Sequence, residues 1–162
     1  RGALAGVADP GGWLAGIARL LTPDGEVVVA ETDASRAQRL ADLVDWSDAA
    51  KLGARVRAAE DALYEDAVRW DDDAWQGWAT AAGLTLTATR DVLIHGDQRL
   101  SPEAVERWFG TPEAPGAYAR ALGAALEPDE VTDVAHRYRV RFAGQVVPWR
   151  TVVAIGRLSR GG

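Results

Sequence analysis

"RLLTPDGEVVVAETD", residues 19–33, decides the fold. Upstream of it, Trp13, Leu14, Ile17, Leu20 and Leu21 recur at the spacing of one helical face, so a helix is predicted over residues 11–21. Thr22-Pro23-Asp24-Gly25 then stops that helix, because proline suits the second position of a turn and glycine tolerates a positive φ. Glu26 to Glu31 follows with three consecutive valines and no polar alternation, the pattern of a parallel strand covered on both faces. Such a strand needs neighbours on both sides. Only eighteen residues precede the quoted stretch, and they hold no second strand-like run. The chain opens on Arg1 and contains no methionine, so the expectation is a single domain over 1–162, incomplete at its N-terminus.

Downstream the helical period returns. Ala37, Leu40, Ala41 and Val44 predict one helix, and Leu52, Val56, Ala59 and Leu63 mark the buried stripe of another over about 48–66. Asp71-Asp72-Asp73 reads as a capped helix start rather than a metal site, since carboxylates favour the positive end of a helix dipole. Trp75, Trp78, Ala79 and Ala82 line that helix up to Gly83. "LTLTATRDVLIH", 84–95, is a β-branched, partly alternating strand. Ser101-Pro102-Glu103 opens a helix running to Phe109, and two more are predicted near 116–126 and 128–142. The last strand is expected near 146–157, with Pro148 close to its start and Arg160-Gly161-Gly162 as a tail.

Composition excludes several functions. No cysteine occurs, which removes disulfides, thiolate metal sites and a thiol nucleophile. The two histidines, His95 and His136, stand far apart and are not read as metal ligands. A net charge of −6 argues against direct nucleic-acid contact, which needs clustered cations to release counterions. No apolar run approaches the roughly 20 residues of a membrane span. A cytoplasmic protein is the default expectation.

Taken together, "RLLTPDGEVVVAE" and the two later strands resemble the C-terminal half of a class I methyltransferase. In that Rossmann-like family a helix ending in Leu-Leu-x-Pro-x-Gly leads into the fifth strand, and the sheet closes with antiparallel strands, the seventh inserted beside the fifth. The resemblance implies an α/β fold with strands near 26–31, 84–94 and 146–157, helices on both faces, and a helical insertion at 101–142. A closer resemblance covers about 26–158. "AETDASRAQRLADLVDW", "AAEDALYED" followed by "RWDDD", "SPEAVERWFG" and "GQVVPWRTVVAI" are similar in order and spacing to the C-terminal extension of bacterial RarA-type recombination AAA ATPase fusions. This implies S-adenosylmethionine as cofactor of the complete domain, direct methyl displacement as its chemistry, and an attached ATPase domain as partner. The Gly-rich turn and the acidic residue that hold the methyl donor are absent. Gly2 to Gly6 and Gly11-Gly12 follow no strand, so no cofactor site is expected within these residues.

Candidate residues follow from position. Ligands of doubly wound sheets gather beyond the carboxyl ends of parallel strands, which places Glu31, Thr32 and Asp33 at the edge to watch. Glu31 would take a proton or orient an amine there if burial raised its pKa; otherwise it caps the next helix or pairs with Arg36. Trp149 would stack on a flat substrate and Arg150 would hold a phosphate, against the alternative of a tryptophan covering the sheet. Trp108, Phe109 and Tyr118 would dock the ATPase domain or build the insertion's own core. An uncovered strand edge predicts self-association.

Overall fold

The computed structural model describes Leu4 and residues 7–65, 67–111 and 113–160; Gly2, Gly6, Asp66 and the Gly161-Gly162 tail lie outside them. In chain order the elements are α1 (Pro10–Ala18), β1 (Glu26–Thr32), 3₁₀ turns at Ala34–Arg36 and Leu40–Leu43, α2 (Ala50–Ala62), α3 (Asp72–Ala81), β2 (Leu84–Arg99), α4 (Pro102–Phe109), α5 (Ala117–Leu122), α6 (Pro128–Phe142) and β3 (Val146–Arg160). The fold is mixed α/β with an open three-stranded sheet in the order β1-β3-β2. β1 and β3 are antiparallel, from Glu26 opposite Ser159 to Thr32 opposite Val153. β2 also runs against β3: Leu100 exchanges backbone bonds with Gln145 and Gly144 at one end, and the Thr87 hydroxyl donates to the Arg157 carbonyl toward the other.

The sheet corrects the expectation for β1. No parallel pair occurs among the described strands, and β1 is an edge rather than an interior strand. Its burial alternates: Val29 and Glu31 are buried, whereas Val28 is 58% exposed. Helices cover one face of the strand only, so three valines in a row do not imply cover on two faces.

The chain divides into two compact units, each with its own core. The first joins Arg1–Ala37, Ala67–Ile94 and Thr151–Gly162. Here α1 and α3 pack together over the sheet, with Leu14, Ala18, Trp75 and Ala79 against Val29, Ala154 and Leu158. The buried stripe of α1 is Gly11, Leu14 and Ala18, which keeps Leu14 of the predicted stripe but not Trp13 or Leu20, 37% and 84% exposed. Close approach explains the shift, since a Cβ on Gly11 would meet that of Ala81 at 3.0 Å. α3 is built as the sequence predicts. The Asp71 carboxylate accepts from Ala74 N–H at 2.9 Å, and Gly83 ends the helix at φ +68°.

The second unit joins Gln38–Asp66 to His95–Arg150. Thus the helices of residues 101–142 share a core with α2: Val56 and Ala59 pack among Val105, Phe109, Leu122, Val134, Tyr138 and Phe142. The helix predicted through Ala37 to Val44 is instead a pair of short 3₁₀ turns separated by extended residues. Carboxylates explain this departure. Asp33 accepts the N–H groups of Ser35 and Arg36, and Glu60 accepts that of Ala41, so these donors are satisfied without a helical ladder. The stripe of α2 is Gly53, Val56, Ala59 and Glu60, while Leu63 is 45% exposed. α6 opens with a reciprocal capping box between Glu127 and Glu130.

Candidate functional site

Beyond the end of β1 the predicted edge residues separate. Glu31 is fully buried: its Oε1 accepts from Leu4 N–H at 2.8 Å, and its Oε2 has no hydrogen-bond partner among the described residues. It neither caps a helix nor pairs with Arg36. Thr32 points outward and is exposed. Asp33 organises the turn, accepting from the Ser35 hydroxyl at 2.5 Å and from Arg36 Nε at 2.6 Å. Arg36 in turn grips Asp91 bidentately, at 2.5 and 2.9 Å. Its hydrogen bonds to Asp91 raise the guanidinium pKa above its ordinary value and hold that of Asp91 below the usual carboxylate range.

These groups line a cleft of about 500 Å³ within the first unit. Its other polar residues are also engaged or opposed. Thr89 donates to Asp72 at 2.6 Å and Asp71 caps α3, while Arg69 and Arg90 stand among more carboxylates than guanidinium groups. The arrangement stiffens a turn. It leaves no general base beside an unpaired acid.

Trp149 has a different setting. Partly buried against the core of the second unit, it lines a cleft of about 370 Å³ with Gln38, Leu43, His95, Gly96, Asp97, Pro148 and Arg150. The structure therefore brings together Trp149 and Arg150, weighed as candidates from sequence, with His95, weighed only as a metal ligand. Gln38 and Asp97 escaped notice. Alternation along β2 was the available signal for Asp97, since residues 95 and 97 share one face of a strand; Gln38 carried none.

Trp108, Phe109 and Tyr118 meet in one aromatic cluster of the second unit. Phe109 stands edge-on to Tyr118 and Tyr138, with centroids 5.6 and 5.8 Å apart, and Trp108 packs edge-on to Phe142 at 6.3 Å. At the centre lies Glu60, a residue that sequence reasoning missed. Its Oε1 accepts from the Tyr118 hydroxyl and from the Tyr138 hydroxyl at 3.0 Å, and its Oε2 from Ala41 N–H at 3.1 Å. Burial pushes the Glu60 carboxyl above its ordinary pKa despite these bonds, and burial likewise raises both tyrosines.

Among the described residues no group of three or more His, Asp and Glu side chains is placed to hold a metal ion. No described helix is long and apolar enough to cross a membrane. β1 runs into Asp33 and the Ala34–Arg36 turn, with no glycine over residues 26–36. A scan of protein-family models finds no match to this sequence, and neither does a search of curated proteins.

Proposed function

We propose that this chain is the C-terminal portion of an S-adenosylmethionine-dependent methyltransferase-like domain attached to a RarA-type AAA ATPase in a bacterial, cytoplasmic protein. The observation that carries the reading is the strand order. β3, last in sequence, runs antiparallel between β1 and β2. This is the order expected where the family's seventh strand inserts beside the fifth. The turn "LLTPDG" before β1 supports the same assignment.

On this reading the donor cradle belongs to polypeptide preceding Arg1, because no Gly-rich turn follows a described strand. The test is calorimetric titration of S-adenosylmethionine into the longest protein the gene encodes. Saturable heat is expected. A folded protein that gives none overturns the enzymatic reading.

A second reading, a non-catalytic module that tethers or regulates the ATPase, is favoured by the mutual engagement of Asp33, Ser35, Arg36 and Asp91 at the end of β1. A site awaiting a substrate would leave some of these groups uncommitted. The discriminating result is absence of donor binding together with a change in ATPase rate when residues 1–162 are deleted.

A further inference from the structure

We propose that the cleft around Trp149 in the second unit binds a free mononucleotide. The argument rests on which polar groups the unit leaves uncommitted. Several guanidinium groups elsewhere in it are hydrogen-bonded: Arg137 with Asp48 and Asp133, Arg139 with Glu106, Arg57 with Asp42 and Asp61, Arg141 with the Leu43 carbonyl. Arg150, which lines the cleft, is held more loosely. Its nearest carboxylate, Asp42, lies 3.9 Å away, beyond hydrogen-bond distance, and already accepts from Arg57. Its donors make no hydrogen bond to a described residue beyond this long ion pair.

The same holds across the cleft. Gln38 is only 9% exposed; its amide nitrogen donates to the Arg39 carbonyl at 3.2 Å and approaches Asp42, yet its Oε1 accepts nothing among the described residues. That oxygen is therefore open to a ligand N–H. His95 and Asp97 also line the cleft, with exposed side chains.

These groups match one chemical class. The Trp149 indole offers a π-surface for a planar heteroaromatic base, Gln38 an acceptor for an exocyclic amine or ring N–H, Asp97 an acceptor for sugar hydroxyls, and Arg150 a fork for a phosphate. A volume of about 370 Å³ lies at the small end of ligand pockets and suits one nucleotide, not a chain of them. The net charge of −6 disfavours a polymer for the same reason. This inference is independent of the methyl-donor reading, since it uses only residues of this chain.

The test titrates the 162-residue chain with the four common ribonucleoside monophosphates, their nucleosides and inorganic phosphate. Calorimetry is the readout, and circular dichroism checks each variant's fold. Saturable binding of at least one monophosphate is expected. Arg150→Ala, which removes an exposed group holding no hydrogen bond, should weaken the monophosphate at least tenfold and leave its nucleoside nearly unchanged. Trp149→Leu should weaken both. No saturable binding at millimolar ligand, or equal affinity in wild type and folded Arg150→Ala, overturns the proposal. So does tighter binding of a single-stranded oligonucleotide that Arg150→Ala abolishes, which would reassign the cleft to nucleic acid.

Discussion

Glu60 shows how a single buried charge ties distant segments together. Its carboxylate collects the hydroxyls of Tyr118 and Tyr138 and the Ala41 N–H, partners from 19 to 78 residues away in sequence. Because burial raises its folded pKa above the ordinary 4.5, the folded chain retains a proton that the unfolded chain has released between those two values. Its contribution is therefore fully present in acid and declines as pH rises through the folded value. The opposite sign applies to Asp61 and Asp91, whose arginine partners lower their pKa; their contributions are lost as pH falls. Urea unfolding of wild type and Glu60→Gln near pH 4.5 and about pH 7.5 separates the two. The advantage of wild type over the amide should shrink toward the higher pH. An advantage that stays constant or grows would contradict a raised pKa. Glu60 itself went unread because a carboxylate carries no apolar signal, although it stands four residues beyond Val56 on the buried stripe of α2. Its partners went unread too, because no local pattern links residue 60 to residue 138.

Between secondary-structure elements, the contact that seats α3 on the sheet is Trp75 against Gly156. A Cβ built at 156 would lie 2.7 Å from Trp75 Cε3, so the indole rests directly on the backbone of β3. Trp75 is 1% exposed and packs among Trp70 and Trp78. Gly156→Ala should therefore overpack the first core and cost about 1–3 kcal/mol, read as a lower urea midpoint with unchanged slope. A midpoint equal to wild type would mean that Trp75 is not held where it is described. Element boundaries were legible wherever local chemistry sets them. Asp71 and Gly83 bracket α3, Ser101-Pro102 starts α4, and the predicted 128–142 is the span of α6. The segment from Ala37 to Val44 was not, since its apolar spacing is helical while Glu60, remote in sequence, captures the Ala41 N–H. Nor was the Gly11 stripe of α1, because a glycine chosen for close packing carries no hydrophobic signal.

Across the whole molecule, the sheet's two outer edges are protected unequally. β2 presents Arg90, Asp91, His95, Asp97 and Arg99, charged or polar groups of the kind that discourage edge pairing. β1 presents consecutive valines, with Val28 58% exposed, and among the described residues no strand pairs with its second edge. The three strands were legible from their β-branched runs, whereas this open edge follows from one-sided cover that a run of valines conceals. An aliphatic strand with unpaired N–H and C=O groups is a template for a second copy, so the 162-residue chain should associate through β1. Sedimentation velocity should show a mean mass that rises with concentration, despite the net charge of −6 that opposes association. Val28→Glu is the informative variant. Position 28 stands directly opposite Arg157, so the new carboxylate gains a cross-strand partner while placing charge on the exposed face. It should keep the fold and shift the distribution to monomer. A wild-type chain that stays monomeric up to the highest soluble concentration, or a Val28→Glu chain that associates as strongly as wild type, would show that β1 is not the adhesive edge.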